Sequence, residues 1–243
     1  MRSPALTAAL ADIDTVFNGF ASPTETGCGL CHLPEETAHL RSPYTRVPPD
    51  VLNMYLFEVP DHFDDHAAAM RRLLPQGARA MADGTLDGFG WGFQGLSRAE
   101  WRSWPAEQAD AVEALVTAWW ADVVRSPHPP YPVEDVFETC AAILRDVGPL
   151  LDRWERGPVA DAHLVAALRS WLAELLEDQS PFTWIPHAED ELLAVLRSWT
   201  AADAPARLRA LGESDLANRA GLLALSYDDR WAHPYWRTAS ATN

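Results

Sequence analysis

Apolar residues recur at a helical spacing along almost the whole of this 243-residue chain. Side chains three and four positions apart share one helix face, so an amphipathic helix shows a stripe at i, i+3, i+4 and i+7. Ile13, Val16 and Phe17 close a first stripe of this kind. Pro34 followed by Glu35 and Glu36 opens another helix, because proline suits the first turn and acids complement the positive end of the helix dipole. In PPDVLNMYLFEVP, the residues Val51, Leu52, Tyr55 and Leu56 fall on one face. Asp61 reads as the N-cap of a helix through Met70, Leu73 and Leu74, which Pro75 should kink or divide. Helical stripes resume at about 105–125, 133–152, 159–177, 188–202 and 213–225. Breaks fall at SPHPPYP (126–132), at Gly157-Pro158 and at QSPFTWIPH (179–187). No segment keeps the strict alternation of β-branched residues that a half-buried strand needs. The expected fold class is all-α.

A weak internal repeat bears on the architecture. AHLVAALRSWLA (162–173) aligns with DELLAVLRSWTA (190–201) at an offset of 28, sharing Leu-Arg-Ser-Trp, and AAILRD (141–146) is a fainter third copy. Leu and Trp three apart occupy adjacent turns of one face, as the core of a compact helical bundle requires. Stacked helical hairpins of the solenoid kind would use the same repeat. The length suits a single domain over 1–243; the alternative is a division into 1–95 and a Trp-rich helical region over 96–243.

Composition removes several classes. With 48% hydrophobic residues and eleven Trp, the chain is neither disordered nor collagen-like. It has no Lys, all nineteen basic residues are Arg, and the formal charge is −16. That charge opposes binding to nucleic-acid phosphates and to anionic membrane surfaces, so neither is an expected partner. It suits a soluble protein, or one that shows an acidic face to a basic partner. MRSPALTAALADIDTVFNGF is interrupted by Asp12 and Asp14 and does not read as a secretory signal. No apolar run is long enough to span a bilayer, and the expected location is the cytoplasm.

Three cysteines do not make a disulfide framework, but two of them stand in TGCGLCHLPEETAHL (26–40). Cys28-Gly29-Leu30-Cys31-His32 fits a zinc knuckle, a redox dithiol or a haem attachment site. Zinc needs soft, deprotonated donors, and C-x-x-C supplies two thiolates from one tight turn. A thioredoxin-like dithiol belongs beside a βαβ pattern, and none is seen. Haem attachment, with His32 as axial ligand, normally requires export. Two small thiols packed beneath a loop are the bland alternative. For zinc, two further ligands are required. His32 is adjacent, Glu35 and His39 lie four apart, and PDHFDDH offers His62 and His66, four apart on a predicted helix. Cys140 is the remaining thiol. The candidate metal ligands are Cys28, Cys31, His32, His62 and His66, with a structural Zn2+ as the expected cofactor.

From Cys28 to Gly84 the chain carries, in order, the C-x-x-C pair, an acidic helix start, Leu52 to Tyr55, Phe63 to Asp65, and Leu73 to Pro75. In this order, and in the Trp-rich helices WPAEQADAVEALVTAWW and HLVAALRSW, it resembles a family of bacterial all-α proteins with an N-terminal C-x-x-C motif. No reaction is assigned to that family. Members carry Phe-Leu-Pro-Arg where this chain has Leu73-Leu74-Pro75-Gln76, and need not have His at the positions of His32, His62 or His66. The resemblance therefore implies the cysteine pair more strongly than the histidines.

Three further stretches admit two readings each. HFDDH is either a His/carboxylate metal site or ordinary capping, since Asp61 and Asp64 resemble a capping box. GFGWGFQG (88–95) is either an aromatic flap over a ligand or a connector anchored by its rings. SYDDRWAHPYWR (226–237) is either a partner-binding segment or a docked C-terminus. No nucleophile elbow, phosphate loop or dinucleotide fingerprint is present. The expected function is a zinc-binding scaffold or partner-binding module, with a protein or a small molecule as partner. The alternatives are a metal-dependent enzyme of small-molecule metabolism, and an acidic inhibitor or immunity-type protein.

Overall fold

Prolines set the start of many helices, because their fixed φ suits the first turn and their missing N–H would have no partner there. In a computed structural model that describes residues 2–87, 89, 95–183 and 189–239, α1 (Pro4–Val16), α2 (Pro34–Arg41) and α3 (Pro49–Phe57) each begin on one. There follow α4 (His66–Asp83), the short α5 (Gly95–Arg98), α6 (Ala106–Arg125), α7 (Val133–Leu144) and α8 (Gly148–Asp152). The chain then forms α9 (Pro158–Leu176), α10 (Glu189–Ala210), α11 (Ser214–Leu222) and the short α12 (Tyr227–Ala232) and α13 (Tyr235–Ala239). Two 3-10 turns, Pro60–His62 and Trp101–Ser103, complete the elements, and no strand occurs among the described residues. The protein is an all-α helical bundle, as its periodicity predicts.

Helix α6 is the central strut. It packs against α1, α7, α8 and α9. Its Trp119 and Trp120 are buried, and Trp120 lies edge-on to Phe137 and to Trp154, both at 5.3 Å. Buried indoles need acceptors for their N–H groups. Trp120 Nε1 donates to the Leu150 carbonyl at 2.8 Å, and Trp154 Nε1 to that of Ala160 at 2.9 Å. The two copies of Leu-Arg-Ser-Trp sit on consecutive helices, and both tryptophans converge on Trp154, Trp171 at 6.1 Å and Trp199 at 5.7 Å. Buried apolar side chains from Leu6 to Leu223 form one cluster.

Several local expectations change. Asp65, not Asp61, caps α4, accepting the Ala68 N–H at 2.9 Å, and Asp61 lies in the 3-10 turn. His62 and His66 therefore do not share a helix. Pro75 sits inside an unbroken α4, whose flanking Leu73, Leu74, Ala78 and Met81 are all buried in the core. The helix expected over 133–152 is two, because the chain turns at Arg145 (φ 49) and restarts at Gly148-Pro149. Conversely, α10 runs on through Pro205 to Ala210. Of the Gly-rich stretch, Gly88 and residues 90–94 lie outside the described residues, as do 184–188 of the break before α10. Phe89 is buried and stacks on Tyr131 at 4.0 Å. The C-terminal segment is docked. Arg230 is buried, bonding Asp178 at 3.0 Å and the Leu225 carbonyl at 3.3 Å, while Tyr227 reaches Glu177 at 3.0 Å.

No helix among the described residues is long and apolar enough to cross a membrane. Trp120→Ala should lower the unfolding free energy by about 3–5 kcal/mol, the usual cost of removing a fully buried Trp. Leu211→Ala, at 43% exposure, should change it by no more than about 0.5 kcal/mol. Urea unfolding followed by far-UV dichroism checks both.

Candidate metal centre

The cysteine pair stands in the loop between α1 and α2, and glycines shape it. Gly27 and Gly29 both take left-handed backbone angles, φ 70 and φ 67, around Cys28. A side chain at Gly27 would also collide with His32, its Cβ falling 2.8 Å from the ring Nδ1. The turn brings the Cys31 N–H to 3.1 Å from Cys28 Sγ. Bonds from the Cys31 and Leu30 backbone hold the Cys28 thiol below its ordinary pKa, and its contact with Cys28 holds that of Cys31 above. Charge on the pair thus rests first on Cys28. Both thiols are solvent-accessible, whereas Cys140 is buried in α7, where burial pushes its thiol up.

The two histidines come from different segments, with ring centroids 6.0 Å apart. His32 follows the pair directly and is buried, its ring edge-on to Tyr55 at 4.9 Å and tilted against Phe63 at 5.8 Å. His62 ends the 3-10 turn after α3. Cys28 Sγ, Cys31 Sγ and a His62 ring nitrogen lie within 4.8 Å of one another, close enough to share a metal ion. A second group of the same kind is formed by His32, Glu58 and His62. His62 Nδ1 is 2.9 Å from Glu58 Oε1, and His32 Nε2 is 3.5 Å from Glu58 Oε2, yet neither nitrogen is aligned for a hydrogen bond. Partial burial would raise the Glu58 carboxyl, but the Val59 N–H and the two imidazoles bring it below its ordinary pKa.

Of the five histidine and cysteine ligands expected, three meet, Cys28, Cys31 and His62, while His32 belongs to the second group with Glu58 and His62. His66 belongs to neither group. It lies on the first turn of α4 against Phe63, at 5.4 Å. Glu35 and His39, on α2, are also in neither group. Asp64 serves the loop, taking the Thr26 N–H and hydroxyl at 2.8 and 2.7 Å.

Two residues of the site escape a reading of the sequence. Glu58 had one available signal, its position four before His62. Glu25 had none. It is fully buried, and its carboxylate accepts from Gly27 N–H at 3.1 Å, Asp64 N–H at 2.9 Å, and Asp65 N–H and Ser22 hydroxyl, both at 3.3 Å. Glu25 thereby ties the cysteine loop to the turn that follows His62.

Comparison of the chain with protein-family models, with curated proteins and with solved structures finds no match. The fold and site define an all-α protein with a thiol–imidazole cluster able to hold a metal ion.

Glu25→Ala removes one acceptor from three backbone N–H groups in a buried place. It should destabilise the metal-free protein by about 3 kcal/mol, since each unsatisfied buried donor costs about 1–3 kcal/mol. A loss below about 1 kcal/mol in urea unfolding would show that the two loops do not depend on it. His66 supplies a pH test. Burial, and then the nearby Arg98, lower its pKa to about 4. The unfolded chain, with a His pKa of about 6.5, binds more protons in between, so stability is lost as pH falls through that window. His66→Gln should remove roughly 2–3 kcal/mol of that decline, measured on metal-free protein at pH 7 and pH 4.

Proposed function

We propose that this chain is a zinc-binding helical protein of the cytoplasm, in which the metal is structural and the protein acts as a scaffold or partner-binding module. The observation that carries the reading is the convergence of Cys28, Cys31 and His62 within 4.8 Å. Two thiolates and an imidazole are borderline-soft donors, the set that suits zinc and disfavours magnesium or calcium. The metal would staple a loop that has few apolar contacts of its own to the turn after α3.

The surroundings support a structural rather than a catalytic ion. A catalytic zinc needs a cleft for substrate beside it. Two clefts among the described residues, of about 510 and 620 Å³, lie elsewhere, one around Asp14, Arg79 and Leu86, the other around Arg197, Tyr227 and Arg230. Beside the cysteine pair two apolar side chains stand in solvent, Leu30 at 91% and Leu33 at 54% exposure. Those side chains on a metal-stiffened loop form a tip for a protein partner.

Metal analysis of protein purified without an affinity tag should find about one equivalent of zinc. Cys28→Ser and His62→Ala should each reduce it to a small fraction, and chelation should lower the melting temperature of the wild type alone. A wild-type metal content near zero, unchanged in Cys28→Ser, overturns the reading.

A further inference from the structure

The group formed by His32, Glu58 and His62 shares His62 with the cysteine group, so one imidazole belongs to both sets. We infer that Glu58 Oε1 is the fourth ligand of the metal held by Cys28, Cys31 and His62, and that His32 is the residue that positions the carboxylate. This rests on the zinc reading above and makes the site a closed one with four protein ligands.

The first support is the approach of His62 to Glu58. Nδ1 and Oε1 stand 2.9 Å apart without hydrogen-bond alignment. An imidazole nitrogen and a carboxylate oxygen this close are drawn together either by a proton on the nitrogen or by a cation that both face. Zinc bonds of about 2.0–2.1 Å give a tetrahedral ligand–ligand edge of about 3.3 Å, near the observed contact. The Val59 N–H, 2.8 Å from Oε1, occupies one lone pair of that oxygen and leaves the other for the metal.

The second support is His32. Its side chain has no solvent exposure, and neither ring nitrogen has a hydrogen-bond partner among the described residues. A buried polar atom without a partner is rare and marks a place where an ion or a rearranged contact completes the structure. Tyr55 and Phe63 lie against the ring, and Nε2 stands 3.5 Å from Glu58 Oε2. Glu58 is not in one 4.8 Å group with the two thiols, so its carboxylate must turn toward them to reach the metal; when Oε1 does so, Oε2 takes the Nε2–H. This is the carboxylate–imidazole support that fixes ligands in metal sites.

Zinc affinity, read by competition with a chromophoric chelator on the full chain, tests the assignment. Glu58→Gln should weaken zinc binding about 100-fold, Glu58→Asp should recover part of the loss, and His32→Gln should weaken it about 10-fold. The cobalt-substituted protein separates ligand from support. In Glu58→Gln the thiolate charge-transfer bands persist while the d–d bands weaken as water enters. In His32→Gln both sets stay close to wild type. Adding azide to cobalt-loaded wild type needs no variant and leaves the spectrum unchanged if four protein ligands close the site. A wild type that binds zinc yet changes spectrum with azide, or a folded Glu58→Gln with wild-type affinity, overturns this assignment and leaves the zinc reading standing. A wild type that binds no metal overturns both.

Discussion

A carboxylate buried away from water is stable only when its charge is shared by donors, and Glu25 meets that condition without a cation partner among the described residues. Its two oxygens collect three backbone N–H groups and one hydroxyl, from residues 22 and 27 on one side and 64 and 65 on the other. These segments are 38 residues apart along the chain at Thr26 and Asp64, which bond each other as well. Everything proposed for the cysteine pair depends on this tie. Loops of this length have little apolar area to hold them, so position comes from hydrogen bonds that only a fixed acceptor can organise. Arg41 adds a third anchor by donating to the Glu25 main-chain carbonyl at 2.7 Å, which brings α2 to the same point.

The metal site and the bundle meet at Tyr55 and Phe63. Tyr55 is fully buried on α3 and forms the wall against which His32 lies. Phe63 touches both Tyr55, at 5.6 Å, and His66. The aromatic wall therefore transmits the position of α3 and α4 to the histidines. The cysteine turn projects outward from that wall with Leu30 at its apex. A metal bound there would order the exposed tip relative to the bundle. Glu25, the Asp64 bonds to Thr26 and the left-handed glycines hold its base.

The rest of the molecule follows the ordinary physics of helical cores. Tryptophans from α6, α8–α9, α9 and α10 form one aromatic cluster, and two of them find backbone acceptors from the ends of neighbouring helices. Arg207, buried beneath α9, does the same for the turn before that helix, donating to the carbonyls of Trp154 at 3.3 Å and Glu155 at 3.0 Å. Buried polar groups thus mark the places where helix ends meet the core.

The sequence by itself determined the all-α class, most of the helices and the cysteine turn, because these are local. Period-3.6 apolar stripes, proline starts and Gly27-Cys28-Gly29 act over a few residues and can be read in order. Helix limits were legible only where a break was also local. Pro75 and Pro205 look like breaks, but tertiary burial of the flanking turns outweighs one missing hydrogen bond, whereas Arg145 gives no sign that the helix ends there. For the site, Cys28 and Cys31 were legible as a pair and His32 and His62 as possible ligands. That His62 joins the cysteines while His66 does not was decided by a 3-10 turn in place of the expected helix. Only the tertiary structure brought in Glu25 and Glu58. A glutamate carries no spacing signature, and its role depends on donors from distant segments that converge when the chain has folded.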